Sequence, residues 1–135
     1  FGLAATLAVA ARADATVRWD GMAARLRAAA AASGVAWRDL AADAPRAPHI
    51  LALAFAGIAA GALRQVLASR GVYVSSGSAC ADAKAGATKP SAALAAIGLD
   101  PAWGMARLSF GVDTTDEEID RAAAILTDAV RGLAR

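Results

Sequence analysis

Glycine and proline divide this chain into pieces that leave room for few architectures. Gly34 follows a long helical pattern, Pro45 and Pro48 interrupt "AADAPRAP" at 41–48, and Gly57, Gly71 and Gly98 each close an apolar segment. Glycine just past an apolar-periodic run marks a helix stop or a turn, because it accepts the left-handed backbone at no steric cost. Two prolines three residues apart exclude regular structure between them.

The pieces can be assigned. From Gly2 to Ala32 the spacing is helical, with Leu3, Leu7, Ala10 and Ala11 on one stripe. Val17, Met22 and Leu26 continue a stripe after a possible bend at Asp20-Gly21. "VAWRDL" at 35–40 and "HILALAF" at 49–55 read as strands, and residues 59–69 as a helix with Leu63, Val66 and Leu67 inward. "VYVS" at 72–75 is a short strand of β-branched and aromatic residues, and Pro90 suits the first turn of a short helix through Ile97. "ARLSFG" at 106–111 alternates as a strand does. The last helix has the clearest start: "TTDEEID" puts Thr114 or Thr115 at the N-cap with Glu117 or Glu118 three residues on, followed by a stripe of Ile119, Ala123, Leu126 and Val130. The fold class predicted is α+β, a small and mostly antiparallel sheet of three or four strands covered by helices in one domain of 135 residues.

Composition narrows the function. Apolar residues reach 58% with only 5% aromatics, so the core must be assembled from many alanines and few large side chains, which favours helix. Twelve arginines and two lysines against twelve acids are scattered along the chain with no basic run, a weak basis for binding nucleic acid. The opening "FGLAATLAVAARA" imitates a signal peptide poorly. It has no basic leader, and Arg12 breaks the apolar run well short of a membrane span. A chain opening on Phe1 in mid-helix reads as a piece of a longer protein with no membrane partner. One cysteine, without a CxxC or Cys/His companion, forms neither an internal disulfide nor a zinc site, so a reducing, cytoplasmic setting is the expectation.

That cysteine is Cys80, in "GVYVSSGSACADAKAGATKPS". A cysteine attacks as its thiolate and needs partial exposure with amides or cations nearby to lower its pKa. "SSGSAC" offers small residues that let backbone amides approach a ligand, and the stretch beyond carries Lys84 and Lys89, the only lysines. Residues 79–89 contain nothing bulky, which predicts a mobile arm bearing a thiol. The plainer alternative is a small structural hydrophobe. His49, with no metal-binding companion, reads as a packing residue at a strand start, and Trp19, Trp37 and Trp103 as packing or interface groups.

"GVYVSSGSAC", the following Pro90-Ser91, "AALAAIG" and "ARLSFGVDTTDEEID" together resemble, in order and approximate spacing, the C-terminal part of cysteine desulfurases, pyridoxal-phosphate enzymes of the class V aminotransferase group. "PHILALAFAGI" extends the resemblance upstream. The resemblance implies the small C-terminal domain of a fold-type I enzyme. There the loop thiolate attacks the sulfur of L-cysteine while the cofactor serves as electron sink, releasing L-alanine and leaving a persulfide. It implies Cys80 as sulfur acceptor, Ser76, Gly77, Ser78 and Ala79 as the active-site loop, and Arg107 as the clamp for the substrate carboxylate, a role that a planar guanidinium suits. On its own pattern Arg107 reads by default as a surface arginine at a strand end.

Such enzymes hold pyridoxal phosphate through a lysine in a Ser/Thr-x-His-Lys context. Lys84 and Lys89 stand in another context and His49 in another segment, so the cofactor-binding half is expected to lie outside residues 1–135 and the fragment alone to be inactive. The implied partners are L-cysteine and a sulfur acceptor, an iron–sulfur scaffold or a thiolation protein, with a homodimer for the full-length form. A stand-alone sulfur-relay module and another class V relative, such as a selenocysteine lyase, are the competing readings.

Overall fold

A computed structural model describes residues 1–40, 42–77 and 92–135. Its elements run α1 (Gly2–Ala32), β1 (Trp37–Asp39), β2 (Ile50–Ala56), α2 (Ala60–Ser69), α3 (Ala92–Ala96), β3 (Trp103–Ser109) and α4 (Asp116–Leu133). The three strands form one antiparallel sheet in the order β1-β2-β3. Leu51, Leu53 and Phe55 of β2 lie opposite Leu108, Ala106 and Gly104 of β3. Strand alternation sends this set to one face, where it joins Met22, Leu26, Leu63, Leu67, Leu126 and Val130 from the helices in a single core. The other face carries Ala52, Ala54 and Ala56. The predicted α+β fold is the observed one.

Four expectations are corrected. The stripe of Leu3, Leu7, Ala10 and Ala11 is exposed, as is Val17, while Met22 and Leu26 are buried as expected, together with Ala15, Ala23, Ala29 and Ala30. Helical spacing names a face, but only a neighbour buries it, and α4 and the sheet reach only the second half of α1. Residues 20–21 lie within the continuous helix and do not break it. "VYVS" forms no strand: its pairing is a single antiparallel bridge between Ser75 and Arg107. β3 begins at Trp103, earlier than the alternation of 106–111 predicts.

That last shift has a steric cause. Gly104 weakens a strand signal, yet it is required where it stands: a Cβ there would lie 2.1 Å from the Ile58 carbonyl oxygen and 2.7 Å from the Ala60 nitrogen. The absent side chain lets the turn leading into α2 sit directly on the sheet.

Two polar devices orient the helices. Thr115 is the N-cap of α4, its hydroxyl accepting from the Glu118 amide while the Glu118 carboxylate accepts from the Thr115 amide. Thr114 is occupied one residue earlier, accepting from the Gly111 amide at 2.9 Å. On α1, Arg18 donates to the Val112 and Thr114 carbonyls and the Trp19 indole donates to the Gly111 carbonyl, stapling the β3–α4 turn. Near the sheet edge Asp39, its side chain 5% exposed, is held by Arg27 at 2.7 Å and Arg46 at 3.4 Å. Two guanidinium groups offset the cost of burying that carboxylate. Among the described residues no helix is long and apolar enough to cross a membrane, and no cluster of His, Cys, Asp and Glu is arranged to hold a metal.

Candidate functional site

The site is built where the chain leaving α2 comes alongside β3. Gly71, at φ 82°, ends α2: its amide donates to the Ala68 carbonyl and the Val72 amide to the Leu67 carbonyl, the paired bonds of a Schellman stop. The chain then turns back beside β3. Val72 and Val74 pack against the core, while Tyr73 between them is 84% exposed. Ser75 comes level with Arg107, and the two exchange both main-chain bonds, Ser75 N to Arg107 O at 3.1 Å and Arg107 N to Ser75 O at 2.7 Å.

Arg107 itself stands on the alanine face of the sheet, paired with Ala52 and exposed between the buried Ala106 and Leu108. The small side chain opposite leaves the guanidinium uncovered. Among the described residues it has no carboxylate partner, whereas Arg25 and Arg27 are each engaged by acids. An unpaired guanidinium on a rigid strand is free to take a planar anion in two hydrogen bonds.

The bridge therefore ties the start of the serine-glycine segment to the strand that carries Arg107. Ser76 and Gly77 follow directly and are both half-buried. Ser78, Ala79 and Cys80, with Lys84, Lys89, Pro90 and Ser91, lie outside the described residues. His49 lies elsewhere, its ring 5.3 Å from that of Trp19 and tilted by 55°, in keeping with a packing role. It lines an open, apolar groove of about 700 Å³ with Val9, Arg12, Thr16, Trp19 and Pro48. A smaller groove of about 190 Å³ runs beside Tyr73, Ser109, Phe110, Thr114, Glu118 and Arg121. Arg107 lines neither.

One residue on this path is not singled out by the sequence reading. The Ser75 hydroxyl donates to the Gly77 carbonyl at 2.8 Å and accepts from the Gly77 amide at 3.4 Å. The available signal was a serine at a strand end two residues before a glycine, the setting in which a hydroxyl competes with the ladder for backbone groups.

A cysteine desulfurase IscS of Vibrio atlanticus (strain LGP32) is 41% identical over 90 residues, a match covering 65% of this chain and 21% of that protein. An IscS-type relative of Bacillus subtilis (strain 168) is 40% identical over 89 residues, covering 64% of this chain and 23% of the relative. The chain thus spans less than a quarter of the length of these curated relatives. In three dimensions a solved NifS-like protein superposes with a TM-score of 0.72 over 94% of this chain and 31% of its own, at 22% identity, a likeness of fold. Residues 22–122 match the family Aminotransferase class-V, well over half of the sequence. The chain belongs to the aminotransferase class-V family.

Proposed function

We propose that residues 1–135 are the C-terminal domain of a cysteine desulfurase, in which Cys80 accepts sulfur from L-cysteine and passes it to an acceptor. The observation that carries this reading is the Ser75–Arg107 bridge, which draws the start of the SSGSAC segment onto the strand of an uncommitted arginine. Similarity to proteins named cysteine desulfurase supports it. Arg107 binds the substrate carboxylate, and the rigid strand fixes the direction of its fork. The Cys80 thiolate attacks the substrate sulfur; the carbon–sulfur bond of the substrate breaks as the new sulfur–sulfur bond forms. One thiol and L-cysteine give one persulfide and L-alanine, so atoms and electrons balance without an outside oxidant.

Pyridoxal phosphate, which such an enzyme requires, is not fitted by the described residues. They contain no lysine, and the lone histidine is packed on Trp19 in a groove that Arg107 does not line. In this reading the cofactor belongs to another part of the enzyme, and the 135-residue chain alone is inactive.

The test uses the complete gene product with L-cysteine and pyridoxal phosphate, following alanine and the mass of the protein. The expected result is alanine together with a gain of one sulfur atom, both lost in Cys80→Ala. Arg107→Ala is expected to raise KM for cysteine by about tenfold or more, the equivalent of about 1.4 kcal/mol of lost carboxylate binding. Alanine released equally well without Cys80, or never released, would overturn the reading in favour of a sulfur relay or another class V relative.

A further inference from the structure

Resting on that reading, we infer that Ser75 is a positioning residue whose hydroxyl stops a fourth strand after one bridge and so sets the direction in which the chain leaves Arg107. The Ser75–Arg107 pair is of the hydrogen-bonded kind, with both main-chain bonds formed. In an antiparallel ladder the next such pairs lie two residues away in each direction. For this register they are Tyr73 with Ser109 and Gly77 with Met105.

The backbone of β3 is oriented for such pairs. The Leu40 amide donates to the Ala52 carbonyl and the Ala56 amide to the Ala36 carbonyl, so the even-numbered residues of β2 turn their polar groups toward β1. Leu51, Leu53 and Phe55 then face β3 and engage Leu108, Ala106 and Gly104. By the same alternation Met105, Arg107 and Ser109 present their amides and carbonyls to the far edge, which Ser75 occupies.

Gly77 does not continue along this edge. The hydroxyl of Ser75, on the same face as Arg107, takes the Gly77 carbonyl at 2.8 Å and meets its amide at 3.4 Å. A side chain that satisfies both polar groups locally removes the gain from pairing them with Met105. The two halves of Ser75 thus do different work: its main chain holds the Arg107 strand, and its side chain ends the pairing. Gly77 is the last described residue before the segment that carries Cys80 in the sequence.

Hydrogen exchange on the complete gene product, read in peptides over 72–77 and 103–110, tests this in Ser75→Ala and Ser75→Thr. Removal of the hydroxyl is expected to slow exchange in both peptides as Gly77 and Met105 pair, while threonine, which keeps the hydroxyl, leaves the pattern of the parent. With cysteine as substrate, Ser75→Ala is expected to lower kcat about three- to tenfold, the size of one net hydrogen bond, with KM within about twofold because Arg107 is held by main-chain bonds. Ser75→Thr restores kcat. Exchange unchanged or faster in Ser75→Ala, an unchanged kcat, or no rescue by threonine overturns the assignment. A parent enzyme that releases no alanine overturns the desulfurase reading instead, and the exchange comparison then decides the role of Ser75 alone.

Discussion

Helix α1 is one continuous element with two different halves. Residues 2–14 are exposed on every side, including Leu3, Leu7 at 61% and Val9, whereas residues 15–32 bury Met22, Ala23, Leu26 and Ala30. Both halves are rich in alanine and both are helical, so local preference does not separate them. What separates them is the partner. The second half lies along α4, where Thr127 donates to the Ala29 carbonyl, Arg131 to the Ala32 carbonyl, and Arg25 meets Asp116 and Asp120. Backbone hydrogen bonds make a helix in either setting; apolar burial and interhelical bonds make part of it a piece of a core.

The largest effect expected from this contrast is at Leu26, fully buried. Leu26→Ala is expected to lower stability by about 2–5 kcal/mol through lost contacts and a residual cavity, read as a fall in the urea midpoint. Next comes the start of α4, the helix against which the buried half packs. Thr115→Ala removes the side-chain half of the capping box and is expected to cost about 1 kcal/mol in the same titration. Arg25→Ala, which breaks pairs with two exposed acids, is expected to cost less than about 1 kcal/mol, and the difference from the parent should shrink in high salt. The smallest effect is that of Leu7→Ala, within about 0.5 kcal/mol. A loss at Leu7 as large as that at Leu26 would break the contrast, by showing that the first half of α1 is buried in solution.

The same division runs through the candidate site. "SSGSAC" was legible as a candidate reactive segment, because small residues beside a cysteine are a local feature, whereas a role for Arg107 in "RLSFG" came only from the resemblance to a family. Their meeting at the Ser75–Arg107 bridge was not legible, since the two residues are far apart in sequence and their register depends on how α2 ends. "VYVS" carried strand preference, yet preference for extended backbone does not form a ladder unless successive residues pair, and pairing is observed only at Ser75. The partners of Arg18 and Trp19 gave no signal, for they are carbonyls of a turn more than ninety residues away. Gly104 gave no strand signal, because a glycine lowers strand preference in isolation and becomes necessary only when the backbone of Ile58 and Ala60 closes on it.

By itself the sequence determined the helix stops, the capping box, the inward faces of α2 and α4 and the composition of the cysteine segment. Each of these is decided by a residue's own backbone freedom or by neighbours within a turn of chain. The tertiary structure alone decided which half of α1 is buried, where β3 begins, and that the chain after α2 touches β3 at one residue. These depend on contacts between distant segments, where sterics and hydrogen-bond geometry act across the sheet and spacing along the chain carries no information.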